Sequence, residues 1–351
     1  MKFGLNRFNF RTLEDFAEDV RMAEELGWDH CFTLDSQLAL NDPYVMLTYA
    51  AHQTSRVGLG TLLTNPVTRH PTVTASSFAT LDELSGGRAL CVIGIGDTAV
   101  EHSGLRPATV RKLEEATVMM RALLAGEAVE VDWPEPARLR HARPVPVWIA
   151  AAGPKTLRMA GRSADGVLIR VGRHPANIEY AVEQVRAGIE ESGRDPSGFS
   201  FGLIVHTVLV DEPDRALRIG RTMAAGYYDH TRALFERAGL SWDGPSPEEL
   251  KQETIRPDFH HTYDLAAAGE HLTFLPSEAA DSFVFWGGVD EVRGQMLETL
   301  RHDFGVEWEM VVPQPPGARY PHETSGPFYM ERMAREVLPA VREALGVSSP
   351  V

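Results

Sequence analysis

Pro146-Val147-Trp148-Ile149-Ala150-Ala151-Ala152-Gly153-Pro154-Lys155-Thr156 reads as a strand running straight into a helix. Its first half is a continuous apolar run, as expected of a strand buried on both faces. Gly153 lets the backbone approach a ligand closely, and Pro154 suits a first helical turn, where its missing N–H costs nothing. The free N–H groups of that turn, the helix dipole and Lys155 together form an anion site, for which a phosphate-bearing cofactor is the natural guest. The plainer alternative is an ordinary strand–helix turn carrying a surface lysine.

The same alternation extends in both directions. Upstream, strand-like runs at 3–8, 30–34, 57–63 and 89–95 are each followed by a helical pattern, at 13–26, 43–53, 72–84 and 108–124. Thr12 is placed to cap the first helix, with Glu14 and Asp15 in its first turn. Downstream come a helix at 155–163, a strand at 166–171, a helix at 177–191, a strand at 201–210 and a long helix at 213–238. Residues 283–285 lead into a helix at 289–301, a strand follows at 307–312, and a helix at 327–345 closes the chain. Eight strands, each followed by a helix, imply an α/β fold of the (β/α)8 TIM-barrel type rather than an open doubly wound sheet. No internal repeat or flexible linker interrupts the pattern, so residues 1–351 are expected to form one domain. The irregular stretch 239–280 is then an insertion between strand 7 and strand 8.

Composition narrows the partners. The chain has 351 residues, 49 of them acidic against 34 basic, for a formal charge of -15. Long-range attraction to nucleic acid or an anionic membrane would have the wrong sign. The N-terminal residues lack an apolar signal core, and no apolar run is long enough to span a bilayer. Cys31 and Cys91 lie inside apolar strand-like runs, so buried reduced thiols and a cytoplasmic location are expected.

In such a barrel the chemistry gathers at the C-terminal ends of the strands. That rim would collect Asn6 and Phe8, then Asp35 and Ser36, then residues 61–65 with Leu62 and Leu63. Gly96, Asp97 and Thr98 follow, then Gly153, Pro154 and Lys155, then Arg170 and Arg173, with His206 inside the seventh strand. Asp97, buried beside a flat apolar cofactor, would have a raised pKa and serve as a proton donor; turn chemistry is its other reading. Asp35 either bonds the edge of a cofactor ring or caps the next segment. His206 is either a satisfied core or rim histidine or a substrate-side group. Arg69 and His70 either line the cofactor groove or cap the third helix. In the insertion, Trp242, Phe259, His260, His261 and Tyr263 either close over substrate as a lid or pack against the outer wall or a partner subunit. Deleting a true lid would change substrate choice more than cofactor affinity.

Several other chemistries are excluded. Gly94-Ile95-Gly96-Asp97-Thr98-Ala99 mimics a dinucleotide fingerprint, but it follows the fourth strand rather than the first, and the helix after it is expected to begin only beyond Pro107. Asp258, His260 and His261 lack metal-ligand spacing, so no metal site is expected. There is no Gly-x-Ser-x-Gly elbow.

Four stretches bring a family into view. They are Thr64-Asn65-Pro66-Val67-Thr68-Arg69-His70-Pro71; Leu81-Asp82-Glu83-Leu84-Ser85-Gly86-Gly87-Arg88; Gly94-Ile95-Gly96-Asp97 with Gly104-Leu105-Arg106-Pro107-Ala108; and Ala151-Ala152-Gly153-Pro154-Lys155. In these the chain resembles the luciferase-like superfamily of flavin- and deazaflavin-dependent oxidoreductases, and most of all its methylenetetrahydromethanopterin reductase branch. The resemblance implies a barrel carrying reduced coenzyme F420 or FMN across the strand ends, with the cofactor phosphate on the Gly153-Pro154-Lys155 turn. It implies a non-proline cis peptide in a third-strand bulge, by position Leu62–Leu63, and an acidic proton donor at Asp97. A homodimer acting on a small-molecule substrate is also implied. One departure stands out: many deazaflavin-using relatives have Asp-His after the second strand, where this chain has Asp35-Ser36. Two mechanisms follow, hydride transfer from F420 to a C=N, C=C or C=O acceptor with Asp97 supplying the proton, or oxygenation of a substrate by reduced FMN and O2. A non-catalytic cofactor-binding protein is a third reading.

Overall fold

The computed structural model describes residues 1–8, 12–96, 98–317 and 326–348. Its centre is a ring of parallel strands: β1 (Lys2–Asn6), β2 (His30–Thr33), β3 (Gly58–Thr64), β4 (Ala89–Ile93), β5 (Val147–Ala151), β6 (Gly166–Ile169) and β7 (Ser200–Leu209). After an extra strand, β8 (Val284–Gly287), the ring is completed by β9 (Trp308–Gln314). β9 pairs with β1 on one side and β7 on the other, and β6 pairs with β7, so the sheet closes on itself. This is the expected TIM barrel, and its closing strand is the one expected at 307–312. Of residues 283–285, expected only as a lead-in, Phe283 ends a helix and Val284 and Phe285 open β8, which pairs with the far half of β7 at His206–Leu209, outside the ring.

Helices cover the ring: α1 (Leu13–Glu25), α2 (Pro43–Gln53), α3 (Pro71–Ser85), the short α4 (Thr98–Glu101), α5 (Val110–Leu124), α6 (Pro154–Ser163), α7 (Pro175–Ser192) and α8 (Pro213–His230). Their starts follow local chemistry. Thr12 and Asp15 form a reciprocal capping box on α1, and Asp42 caps α2 through the N–H groups of Tyr44 and Val45. The helix expected at 213–238 is two pieces: α8 ends where Thr231 turns extended, and α9 (Ala233–Arg237) restarts beyond it.

The insertion is not irregular. It carries α10 (Pro247–Glu253), α11 (Leu265–Glu270) and α12 (Ser277–Phe283), each too short for its periodicity to register in sequence. Phe259, Leu272 and Leu275 are fully buried, and Trp242 stacks on Tyr228 of α8 with ring centres 4.5 Å apart. Most of 239–280 is therefore wall. After α13 (Val289–Arg301), the closing helical stretch is α14 (Pro327–Arg332), a π-helical turn at Met333–Val337, and α15 (Leu338–Leu345). Pro339 explains the wide turn, because it offers no N–H and crowds the carbonyl four residues back.

Alternation sorts each strand into a lumen face and an outer face. The lumen is packed by Phe32, Leu62, Leu90, Val92, Trp148, Leu168, Ile204, Met310 and Val312. The outer faces join the helices in one large core that includes Cys31 and Cys91, both free thiols. Among the described residues, no helix is long and apolar enough to cross a membrane.

Candidate active site

One step beyond the packed lumen, towards the C-terminal ends, the same alternation names the next inward side chains. On β1, Gly4 is followed by Asn6. Beyond β6, Leu168 is followed by Arg170; on β7, Ile204 by His206; and on β9, Val312 by Gln314. These four strands are consecutive around the ring, so their polar groups form one arc. Asn6 Nδ2 donates to the Leu62 carbonyl at 3.3 Å and to Gln314 Oε1 at 3.5 Å. Its Oδ1, and Nε of Arg170, are buried without a partner among the described residues. Such groups cost free energy unless a ligand or solvent satisfies them.

The opposite arc is small and apolar. Leu63 and Ala150 pack on the lumen cluster, and Gly94 lies between their strands. The Leu62–Leu63 peptide is cis and coincides with a register shift between Leu62 and Thr64, the position expected from the resemblance. The Leu63 carbonyl accepts from the Asp35 N–H at 3.3 Å. Gly96 has φ +72 and closes against Asn65 and Val100. Next along the rim, the N-terminus of α6 opens with Gly153, which makes no side-chain cap bond, and a Cβ there would meet nothing within 4 Å. Pro154 and Lys155 beside it are exposed.

The other expected residues divide. Asp97 lies outside the described residues, and Thr98 begins α4, a single helical turn before the helix expected beyond Pro107. Asp35 is buried behind the rim rather than on it: its carboxylate accepts from Thr64 Oγ1 at 2.6 Å, with Arg69 Nε 3.8 Å away. Burial raises its pKa, against the lowering effects of Thr64 and Arg69. Ser36 is half-buried and its carbonyl accepts from Ala39 and Leu40 in the following turn. His70 Nδ1 caps α3, as one of its two readings had it, whereas Arg69 caps nothing and instead pairs with Asp42 and lies over the Tyr44 ring. Arg173 is a correction. Its guanidinium is committed to Glu298, Thr299 Oγ1 and the Asp281 carbonyl, which ties the β6 loop to α12 and α13 away from the lumen.

His206 is buried, and its Nδ1 lies 3.1 Å from Tyr227 Oη. From the insertion only His260 reaches this side: its ring centre is 5.1 Å from that of His206, and its Nδ1 lies 3.3 Å from Arg170 Nη2. His261 points to Asp258 at 2.9 Å, and Tyr263 is half-exposed. Burial first, then neighbouring Arg170 and the other histidines, hold both His206 and His260 well below the usual imidazole range. Tyr227 of α8 and Gln314 of β9 were not singled out from sequence. Among the described residues, no cluster of three His, Cys, Asp or Glu side chains is arranged to hold a metal ion.

A cavity of about 760 Å³ lies at the other end of the barrel, lined by the first residues of the strands, including Lys2, His30, Gly58, Ala89 and Glu309. It is not the active site. Its charges neutralise one another: Lys2 pairs with Glu309, Arg121 with Asp165, and Glu24 accepts the N–H groups of Arg56 and Val57. Barrel enzymes of this kind place their chemistry at the opposite rim.

A family model described as luciferase-like monooxygenase matches residues 1–307. The chain is 30% identical over 301 residues to the 5,10-methylenetetrahydromethanopterin reductase of Archaeoglobus fulgidus, covering 83% of this chain and 88% of that one. It is 37% identical over 205 residues to the enzyme of the same name from Methanolobus tindarius, covering 56% of this chain and 62% of the relative. The solved structure of the coenzyme F420 dependent tetrahydromethanopterin reductase from Methanopyrus kandleri superposes with a TM-score of 0.77 at 24% identity, over 97% of this chain and 99% of that one. The chain belongs to the luciferase-like family and is an oxidoreductase.

Proposed function

We propose that this enzyme is a reductase using coenzyme F420 to reduce a small organic acceptor at the C-terminal mouth of the barrel. The observation that carries the proposal is the two-sided rim, with an apolar arc on β3, β4 and β5 facing a polar arc on β6, β7, β9 and β1. A flat tricyclic ring fits the first, and an acceptor with polar atoms fits the second. The choice of F420 is supported by the superposing structure of a coenzyme F420 dependent reductase, and the choice of reduction by relatives named as reductases.

The residues present fit such a cofactor. Gly153, Lys155 and the uncapped N–H groups of α6 would hold an anionic tail. Leu62, Leu63, Gly94 and Gly96 would face the ring, and Asn6 would use its unpartnered Oδ1. When bound and reduced, the deazaflavin supplies a hydride. The chain's part is to orient the two partners, exclude water with Leu63 and Ala150, and deliver a proton, for which Asp97 is assigned. A cytoplasmic homodimer of one domain per subunit belongs to the same proposal, as does a mainly buttressing role for 239–280.

A second reading, an FMN-dependent monooxygenase using O2, is favoured by the description of the family model. Titration with F420 and with FMN, followed by anaerobic mixing of the reduced cofactor with methylenetetrahydromethanopterin or cyclohexanone, separates the two. Acceptor-dependent oxidation of F420 without oxygen is expected. Product formation only with reduced FMN and O2 would establish the monooxygenase, and binding of neither cofactor would sink both.

A further inference from the structure

The polar arc has an internal order that specifies what it faces. His260 Nε2 lies 3.0 Å from the Met223 carbonyl, which can only accept, so that nitrogen carries the proton. Its Nδ1 is then free to accept from Arg170 Nη2 at 3.3 Å. Gly226 of α8 leaves the room this ring occupies, since a Cβ there would collide with it. His260 thereby fixes Arg170, whose charge sits 5.7 Å from the centre of the Tyr227 ring.

Tyr227 is fully buried, and the hydroxyl of a buried tyrosine must donate somewhere. The acceptor within reach is His206 Nδ1 at 3.1 Å. The reverse arrangement, Nδ1–H donating to the phenol, would leave the phenolic hydrogen without an acceptor. His206 is therefore the tautomer with its hydrogen on Nε2. The ring lies on the lumen face of β7, one step above Ile204 and in register with Gln314. No hydrogen bond to a described residue uses Nε2.

We propose that His206 is a specificity-determining residue whose Nε2–H donates to the carbonyl oxygen of a neutral acceptor, with Tyr227, Arg170 and His260 as positioning residues. This rests on the reductase proposal and narrows it. An N–H donor rewards an acceptor with an exposed lone pair. The half-buried Arg170 charge beside it opposes a cationic acceptor such as an iminium ion. The arc thus selects C=O over C=N⁺, and no proton need leave His206 for it to do so.

The test has two arms. In the first, the intact protein carrying ¹⁵N-labelled histidine is studied by NMR, with the His206 signals assigned by their loss in His206→Gln. The Nε2–H tautomer is expected at neutral pH and is expected to become mixed in Tyr227→Phe. Acetone added with oxidised F420 should shift the Nε2 resonance. An Nδ1–H tautomer, an imidazolium, or no response to Tyr227→Phe would overturn the proposal, whatever the enzyme's activity. In the second, reduced F420 and cyclohexanone are the substrates. His206→Leu should lower kcat/KM roughly a hundredfold with F420 affinity unchanged, and His206→Gln, which keeps an N–H donor, should recover much of the loss. Equal losses in both variants would make His206 merely structural. Turnover by the wild type of methylenetetrahydromethanopterin but not of the ketone would refute the carbonyl preference while leaving the reductase proposal intact. Failure with both acceptors would count against the reductase proposal, and the NMR arm would still decide the tautomer.

Discussion

The two ends of the barrel are built from the same strands and are both ringed by polar side chains, yet they are wired differently. At the N-terminal end the charges pair off, Lys2 with Glu309, Arg121 with Asp165 and Arg342 with Asp29, and the unpartnered buried atom there among the described residues is a neutral one, His30 Nδ1. Arg88 there donates to the carbonyls of Ser85, Val57, Ala51 and Thr54. At the C-terminal end, Asn6 Oδ1 and Arg170 Nε have no partner among the described residues, and Gly153 gives α6 no side-chain cap. Polar groups that satisfy one another stabilise a fold, whereas unsatisfied ones cost stability and are retained where a ligand completes them. A cavity of about 760 Å³ lies at the end whose charges are paired, so volume by itself is a poor guide to function here.

The largest effect should come from cutting the satisfied end. Arg88→Ala strips four backbone carbonyls at the junction of α2, α3 and β3 of their donor. It is expected to lower stability by about 3 kcal/mol while leaving cofactor affinity unchanged. Urea unfolding and a cofactor titration on the same preparation check both halves. A loss of cofactor affinity at unchanged stability would erase the distinction between the ends.

At the open end the signs should reverse. Gly153 sits at the N-cap of α6 with φ -78 and ψ 146, a conformation any residue adopts, and nothing crowds a side chain there. Gly153→Asp should therefore cap the helix and stabilise the free protein by about 0.3 kcal/mol. The same carboxylate would occupy the anion site, weakening cofactor binding roughly thirtyfold, or about 2 kcal/mol. Unfolding midpoints without cofactor, beside binding isotherms, give both numbers. Unchanged affinity would show that the cofactor's anionic tail lies elsewhere.

How much of this was legible depended on the range of the interactions. The α1 cap, the strand at 147–151 and the turn into α6 rest on neighbours a few residues apart, so Thr12, Asp15, Gly153 and Pro154 could be read directly. The Leu62–Leu63 bulge followed from resemblance, not from any pattern in the residues. Arg173 was misplaced because its partners, Glu298 and Thr299, lie more than a hundred positions away and nothing local announces them. The polar arc was hidden for the same reason: His260 meets Arg170 across 90 residues, through an insertion whose helices are too short to be periodic. One signal was available, since Gly202, Ile204 and His206 alternate on one face of β7, but it has meaning only once the lumen side is known.

The smallest effect separates the ends by function alone, because each holds a histidine kept neutral by burial. His30 is lowered to about 3, mainly by burial and then by Lys2, and His206 is lowered well below the usual range by burial and then by Arg170. Below pH 6.5 the unfolded chain takes up protons that the native state refuses. The stability these two residues contribute is therefore present at neutral pH and lost as the pH falls, by at most about 1.4 kcal/mol per unit for each. His30→Gln and His206→Gln should each flatten the fall in unfolding free energy, measured by urea titration, between pH 7 and pH 5.5 by about 1 kcal/mol. Their turnover should diverge: the first leaves it unchanged, since His30 stacks on Phe32 far from the rim, and the second reduces it. If His30→Gln reduced turnover as much as His206→Gln, the barrel floor would have to be transmitting to the mouth through the lumen packing of Phe32 and Leu62, and the two ends could no longer be treated as independent.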